Sequence, residues 1–205
     1  VPVIIHPAYY IGLAILGLSD KAIEASKTAK LPRTFFDIAD MTKGYAANAF
    51  PYTPPVGLMN GLKLSSEMIL EEGLENVFAR HHRLAEGVRR AVFAWGMTPY
   101  AASADLYSDT VTAVKVPQGC DGTTMVQLAA TKYGMAFGVG LGEVAGKVFR
   151  IGHLGMLTEA MVLSGLCVAE MCMADLGWPV KLGSGVAAAQ EYYRGTVPSM
   201  ALAAE

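Results

Sequence analysis

GKVFRIGHLG, residues 146–155, is the stretch on which the fold assignment turns. Phe149–Ile151 reads as a short strand entered from a glycine-rich turn. Arg150 stands inside this apolar run, where a permanently charged guanidinium is costly unless an anion meets it. Its planar fork of donors suits a bidentate carboxylate. That carboxylate can belong to a protein side chain or to a substrate, and the sequence leaves both open. His153, three residues on, reads first as a packed, hydrogen-bonded histidine.

On the C-terminal side, Thr158 opens a helix through MVLSGLCVAEMCMADLGW (161–178), which Trp178-Pro179 closes. On the N-terminal side, VTAVKV (111–116) alternates between Ser108-Asp109 and Pro117 and is predicted to be a strand. Asp121-Gly122 then caps a helix through Lys132, with Gly134 placed to end it. Earlier still, Leu74, Val77, Phe78, His81, Leu84, Ala85, Val88, Val92 and Trp95 recur at steps of three and four. Arg80, His82, Arg83, Glu86, Arg89 and Arg90 fall largely opposite, so a long amphipathic helix is expected from Gly73 to Gly96. Helix, strand, helix, strand, helix makes an α+β unit beginning near Gly73. The segment from Lys181, rich in Gly, Ala and Ser, carries little periodicity, although Tyr192, Tyr193 and Met200 suggest that it lies on another surface.

The first 73 residues differ. VPVIIHPAYYIGLAILGLS (1–19) has no Asp, Glu, Lys or Arg and approaches membrane-spanning length, but Pro2, Pro7, Gly12 and Gly17 spoil it as a helix. A turn followed by a buried strand, GLAILGL (12–18), is the preferred reading, with Ser19-Asp20 as a helix N-cap. A short exposed helix over Asp20–Lys30 follows and stops before Leu31-Pro32. RTFFDIADMTKGYAANAFPYTPP (33–55) has no clean period and is expected to be a long ordered excursion. From Val56 a helix resumes, with Leu58, Leu62, Ser65 and Ile69 at helical spacing.

Composition narrows the function classes. At 205 residues, 53% hydrophobic and 17% charged, the chain has the balance of a folded protein. A net charge of −2 gives no field that would gather phosphate backbones or anionic membranes, so neither nucleic acid nor membrane is expected as a partner. Mean hydropathy of +0.35 predicts surface buried against another subunit. Cys120, Cys167 and Cys172 form no disulfide framework and fit a reducing cytoplasm.

Three motifs invite chemistry. FGVGLGEVAG (137–146) suggests a dinucleotide loop but lacks the spacing and the strand-to-helix context, so a turn between strands is expected. The adjacent His81 and His82 point to different helix faces, with no Glu or Cys at ligand spacing, and no metal site is predicted. FPYTPP (50–55) sets the Tyr52 and Thr53 hydroxyls in a rigid turn just before a helix N-terminus. Either this is a proline-rich helix entry and nothing more, or it is a perch for an anion or phosphate.

LPRTFFD (31–37) followed by YTPPVGLMNGL (52–62), and then GKVFRIGHLG, resembles the C-terminal part of class V aminotransferases, in the serine/alanine/aspartate–glyoxylate branch. The resemblance covers roughly Gly12 to Pro179. It implies an α/β fold of the fold-type I pyridoxal-phosphate (PLP) architecture. On that division, residues 1–73 form the C-terminal part of the large PLP-binding domain, 74–180 a C-terminal α+β small domain, and 181–205 a C-terminal extension. It implies pyridoxal 5′-phosphate as cofactor, glyoxylate as amino acceptor yielding glycine, and serine, aspartate or alanine as donor. Thr53 would reach the cofactor phosphate of the neighbouring subunit of a homodimer, Tyr52 would lie beside it, and Arg150 would clamp the substrate α-carboxylate. The family places an aromatic phosphate ligand where Phe50 stands here. It also places the Schiff-base lysine where Ile5 stands, and none of the first twenty residues is lysine. The chain therefore reads as the C-terminal half of such an enzyme. The alternative expectation is a catalytically incomplete fragment or a non-catalytic dimerisation or regulatory protein.

Overall fold

The computed structural model describes Leu13 and residues 16–196, arranged as two compact units, Val1–Met68 and Ile69–Glu205. In the first unit, α1 (Asp20–Lys27) is capped by Ser19, whose side chain accepts from the Ala22 amide. Helix α2 (Ile38–Ala46) lies inside the stretch expected to be irregular. Asp37 is its N-cap and accepts from the Ala39 and Asp40 amides. No residue of α2 is buried, so no core-facing stripe marked it in the sequence. Arg33 binds the Asp37 carboxylate at 2.8 Å and the Ser26 carbonyl at 2.8 Å, tying the α1 exit to the α2 start. Helix α3 (Val56–Glu72) begins directly after Pro54-Pro55.

The strand expected over Gly12–Leu18 lies partly outside the described residues. Leu16–Leu18 are neither strand nor helix, and they are exposed. A strand buried on both faces needs neighbours on its edges, and the described residues of that unit contain no other strand.

The second unit follows the sequence pattern closely. Helix α4 (Leu74–Ala94) runs to the Trp95 C-cap, and Gly96 takes the positive φ of 74° that turns the chain out of the helix. Its stripe is buried from His81 onward, whereas Leu74 and Phe78 are exposed. Strand β1 (Val111–Lys115), helix α5 (Gly122–Tyr133), strand β2 (Gly138–Val139), strand β3 (Val148–Gly152) and helix α6 (Glu159–Asp175) come next in order. The glycine-rich segment thus carries a short strand of its own and a 3-10 turn at Gly142–Val144, rather than being turn throughout. The strands form an antiparallel sheet in the order β1-β3-β2, with Arg150 paired to Ala113 on one side and Gly138 on the other.

One face of the sheet is packed. Val114, Phe149 and Ile151 join Leu84, Val88, Val92, Met125, Leu166 and Met173 in a continuous core beneath the helices. Alternation along β3 sends Arg150 to the opposite, half-open face, where Val111 and Gly152 are exposed. Beyond Lys181 the chain forms α7 (Ser184–Gly195), packed on α4 and α6. Little periodicity marks this helix in the sequence because its contact face is built of Gly185, Ala189 and Tyr193, of which only Tyr193 is a large side chain.

Candidate functional site

Arg150 is half-buried on the open face of the sheet, and its Nε–H donates to the Val139 carbonyl at 3.1 Å. Gly138 makes this geometry possible. A Cβ there would stand 2.9 Å from the Arg150 Nε and 3.1 Å from its Cβ, so the guanidinium lies over bare backbone. Ala113, its other neighbour across the ladder, adds only a methyl group. Among the described residues no carboxylate pairs with Arg150. The half-buried Arg80 and Arg83 and the buried Arg89, by contrast, each bind one: Glu72, Glu159 and Asp109 respectively. Of the two sources of an anion left open by the sequence, the described protein residues supply none. The Nη edge of the fork remains available.

The turn after Arg150 is fastened by α4. Arg80 binds both oxygens of Glu72, at 2.6 and 2.7 Å, and its Nη1 donates to the Gly155 carbonyl at 2.6 Å. The next residue, His81, accepts the Gly155 N–H at Nε2 (2.9 Å) while its Nδ1–H donates to the Val77 carbonyl at 2.7 Å. Gly155 has φ of 99°, a conformation that favours glycine. His82 instead faces the Asp109 carboxylate at 3.0 Å, so the two histidines serve separate partners. His153 is fully buried, as its default reading expected, and burial pushes its pKa down to about 4. Its Nδ1–H donates to the Asp109 carbonyl at 3.0 Å, and its Nε2 accepts from the Thr112 hydroxyl at 2.9 Å. Gly138, Arg80 and the Asp109–Thr112 segment were missed as site-shaping residues. Each is remote from Arg150 in the chain, and no local pattern in the sequence says which partner it meets.

In the first unit, Phe35 stacks on Tyr52 with ring centroids 4.8 Å apart, and the Tyr52 hydroxyl donates to the Thr34 carbonyl at 3.2 Å. That bond uses the only proton of the phenol and leaves its oxygen as an acceptor. Thr53 is exposed, and among the described residues its hydroxyl has no hydrogen-bond partner. Pro54 and Pro55 follow, and the Met59 N–H donates to the Pro55 carbonyl as α3 begins. The leading amides of α3 sit at the positive end of the helix dipole, a few residues after Thr53 in the chain.

No family model matches the chain. It is 67% identical to an L-aspartate–glyoxylate aminotransferase of Paracoccus denitrificans over 90% of its own length and 47% of that protein's. It is 50% identical to a serine–glyoxylate aminotransferase of Hyphomicrobium methylovorum, over 89% of this chain and 45% of the relative. A solved pyridoxamine–pyruvate aminotransferase of Mesorhizobium loti superposes with a TM-score of 0.78 at 34% identity, covering 87% of this chain and 47% of that one. In sequence and fold the chain matches the C-terminal half of class V aminotransferases of fold type I.

It spans about half the length of the curated relatives it matches, their C-terminal part. Fold-type I aminotransferases are PLP-dependent, and the residues here suit the anionic groups of that chemistry. An unpartnered hydroxyl at a helix N-terminus matches a phosphate, and an arginine fork with an unpaired edge matches a carboxylate. In a class V aminotransferase the position of Ile5 would hold the lysine, and that position lies outside the described residues. No helix among the described residues is long and apolar enough to cross a membrane.

Proposed function

We propose that this chain supplies the C-terminal half of a PLP-dependent aminotransferase that takes the amino group of an amino acid such as aspartate, serine or alanine and passes it to glyoxylate, giving glycine. The names of its relatives support the acceptor and the first two donors. On this reading residues 1–73 complete the large domain, 74–180 form the small domain, and 181–205 are a C-terminal extension. The protein works as a cytoplasmic homodimer on small-molecule substrates, a compartment with which its three free thiols agree.

The observation that carries the proposal is the half-buried Arg150, paired with no carboxylate among the described residues and held at Nε by the Val139 carbonyl. Its two Nη groups bind the α-carboxylate that amino donor and glyoxylate have in common. With Nε fixed on β2, the carboxylate is oriented and not merely attracted. Thr53 donates its hydroxyl to the phosphate of the cofactor held by the neighbouring subunit, and the α3 N-terminus adds its dipole. Tyr52 shapes the same turn through Phe35 and Thr34, and its hydroxyl, which here donates to the Thr34 carbonyl, would turn its proton to that phosphate on cofactor binding. When bound, PLP supplies the electron sink that lets the amino acid lose its Cα proton.

The test is Arg150→Ala in the complete enzyme. Loss of a charge-assisted pair lowers kcat/KM for both half-reactions by about 2 to 4 kcal/mol in ΔG‡. An unchanged kcat/KM overturns the assignment.

A further inference from the structure

Arg150 leaves the sheet two residues before the end of β3, and two sides of its strand need fixing. On the β2 side, the Val139 carbonyl and the bare backbone of Gly138 hold the guanidinium. On the β1 side the ladder pairs Arg150 with Ala113 and Ile151 with Thr112. That side ends in a single buried ring. His153 sits just beyond β3, its backbone N–H donates to the Thr110 carbonyl at 3.0 Å, and its ring spans the Asp109 carbonyl and the Thr112 hydroxyl. Every polar atom of His153 that can reach β1 or the segment leading into it does so.

We infer that His153 is a positioning residue for Arg150: its ring locks the Asp109–Thr112 segment onto the exit of β3 and thereby sets the direction in which the guanidinium faces the carboxylate of the substrate. This rests on the carboxylate-binding reading of Arg150. The chemistry of the ring is specific. A carbonyl only accepts, so Nδ1 carries the proton, and Nε2 is then the acceptor for Thr112. Burial keeps the ring neutral at physiological pH. Arg89 lies close enough to oppose its protonation, while the Asp109 carboxylate, itself bound by Arg89 and His82, favours it. An apolar residue of similar volume would fill the space but leave the Thr112 hydroxyl and the Asp109 carbonyl without this partner.

The experiment uses the holoenzyme of complete sequence and glycolate, an α-hydroxy acid that offers the carboxylate without an amino group. Glycolate dissociation constants and steady-state constants are measured for His153→Phe and His153→Asn, with circular dichroism establishing that each variant is folded. His153→Phe weakens glycolate and raises the KM of both substrates by about tenfold to a hundredfold, the scale of a small misplacement of a binding group, with a smaller change in kcat. Cofactor retention, read from bound PLP absorbance, stays at the wild-type level. His153→Asn keeps an amide donor where Nδ1–H stood and recovers part of the loss. Wild-type glycolate affinity in a folded His153→Phe overturns the inference, as does a loss of PLP in proportion to the loss of glycolate. Arg150→Ala in the same titration separates the two levels. If it leaves glycolate binding intact, the carboxylate-site reading falls. If it abolishes binding while His153→Phe does not, only the positioning role falls.

Discussion

A single proton separates His153 in the folded chain from the same histidine unfolded. The folded ring stays neutral down to a pKa of about 4, because burial penalises the cation, whereas an unfolded histidine takes up its proton near pH 6.5. Between these values the unfolded chain binds more protons, so stability rises with pH across that window. The contribution is fully present above about pH 6.5, is lost as pH falls toward 4, and amounts to about 3 kcal/mol. Carboxyls held low by their partners, Glu72 by Arg80 and Asp121 by Thr124, act in the same direction but below the ordinary carboxylate range. Urea unfolding at a series of pH values from 4.5 to 7 therefore gives a steeper loss of stability for the wild type than for His153→Asn, which has no such proton. Parallel curves would mean that the ring is not held neutral. At this scale the sequence was informative about Arg150 because a charge inside an apolar run is anomalous on its face. It was silent about Gly138, whose importance lies in what a side chain there would strike.

At the scale of elements, α7 shows where periodicity stops being a guide. Its N-terminus is held by a carboxylate from another helix: Glu170, 2% exposed in α6, accepts from the amides of Gly183, Gly185 (2.7 Å) and Val186 (3.2 Å) and from the Trp95 indole N–H at 2.8 Å. One buried anion thus satisfies three backbone donors that α7 cannot satisfy itself, and its charge faces the positive end of the helix dipole. Gly185 has no side chain because a Cβ there would collide with the Trp95 indole. At the other end, the Tyr193 hydroxyl donates to the Leu84 carbonyl at 3.0 Å, and its ring occupies the space left by Gly87. Neither a glutamate in one segment nor glycines in two others advertises this docking in sequence. Helix α4 was legible from its apolar stripe, and α5 and α6 from the Asp121 and Thr158 caps beside them in the sequence. Replacing Glu170 by Ala strands four donors, of which the Trp95 indole and the Gly185 amide are buried, and the urea midpoint of the second unit should fall by the equivalent of about 3 kcal/mol or more. A loss below about 1 kcal/mol would show that water takes over the role of the carboxylate.

For the molecule as a whole, the two units differ in what holds them. Every buried apolar side chain among the described residues belongs to the second unit, beginning at Leu84. In the first, Leu31, Phe36 and Tyr45 are 76–85% exposed, and α1 and α2 bury nothing. Helices of eight and nine residues have little stability without a packed face, so caps such as Ser19 and Asp37 and the Arg33 clasp are the main local restraints there. The apolar side chains exposed in this unit are surface that a fold-type I enzyme would bury against the rest of its structure. Local opening follows buried contact density, so the 205-residue protein should be cut by trypsin first at Lys21, Lys27, Lys30, Arg33, Lys43 or Lys63, leaving a resistant fragment that carries α4 to α7. Arg80, Arg83 and Arg89 resist because each lies within α4 and is engaged by a carboxylate. In the complete enzyme the same lysines should become resistant as well, since the surface around them is then covered. First cuts within residues 74–196 would contradict this division, and unchanged sensitivity of the early lysines in the complete enzyme would mean that the exposed apolar side chains of the first unit have no partner there.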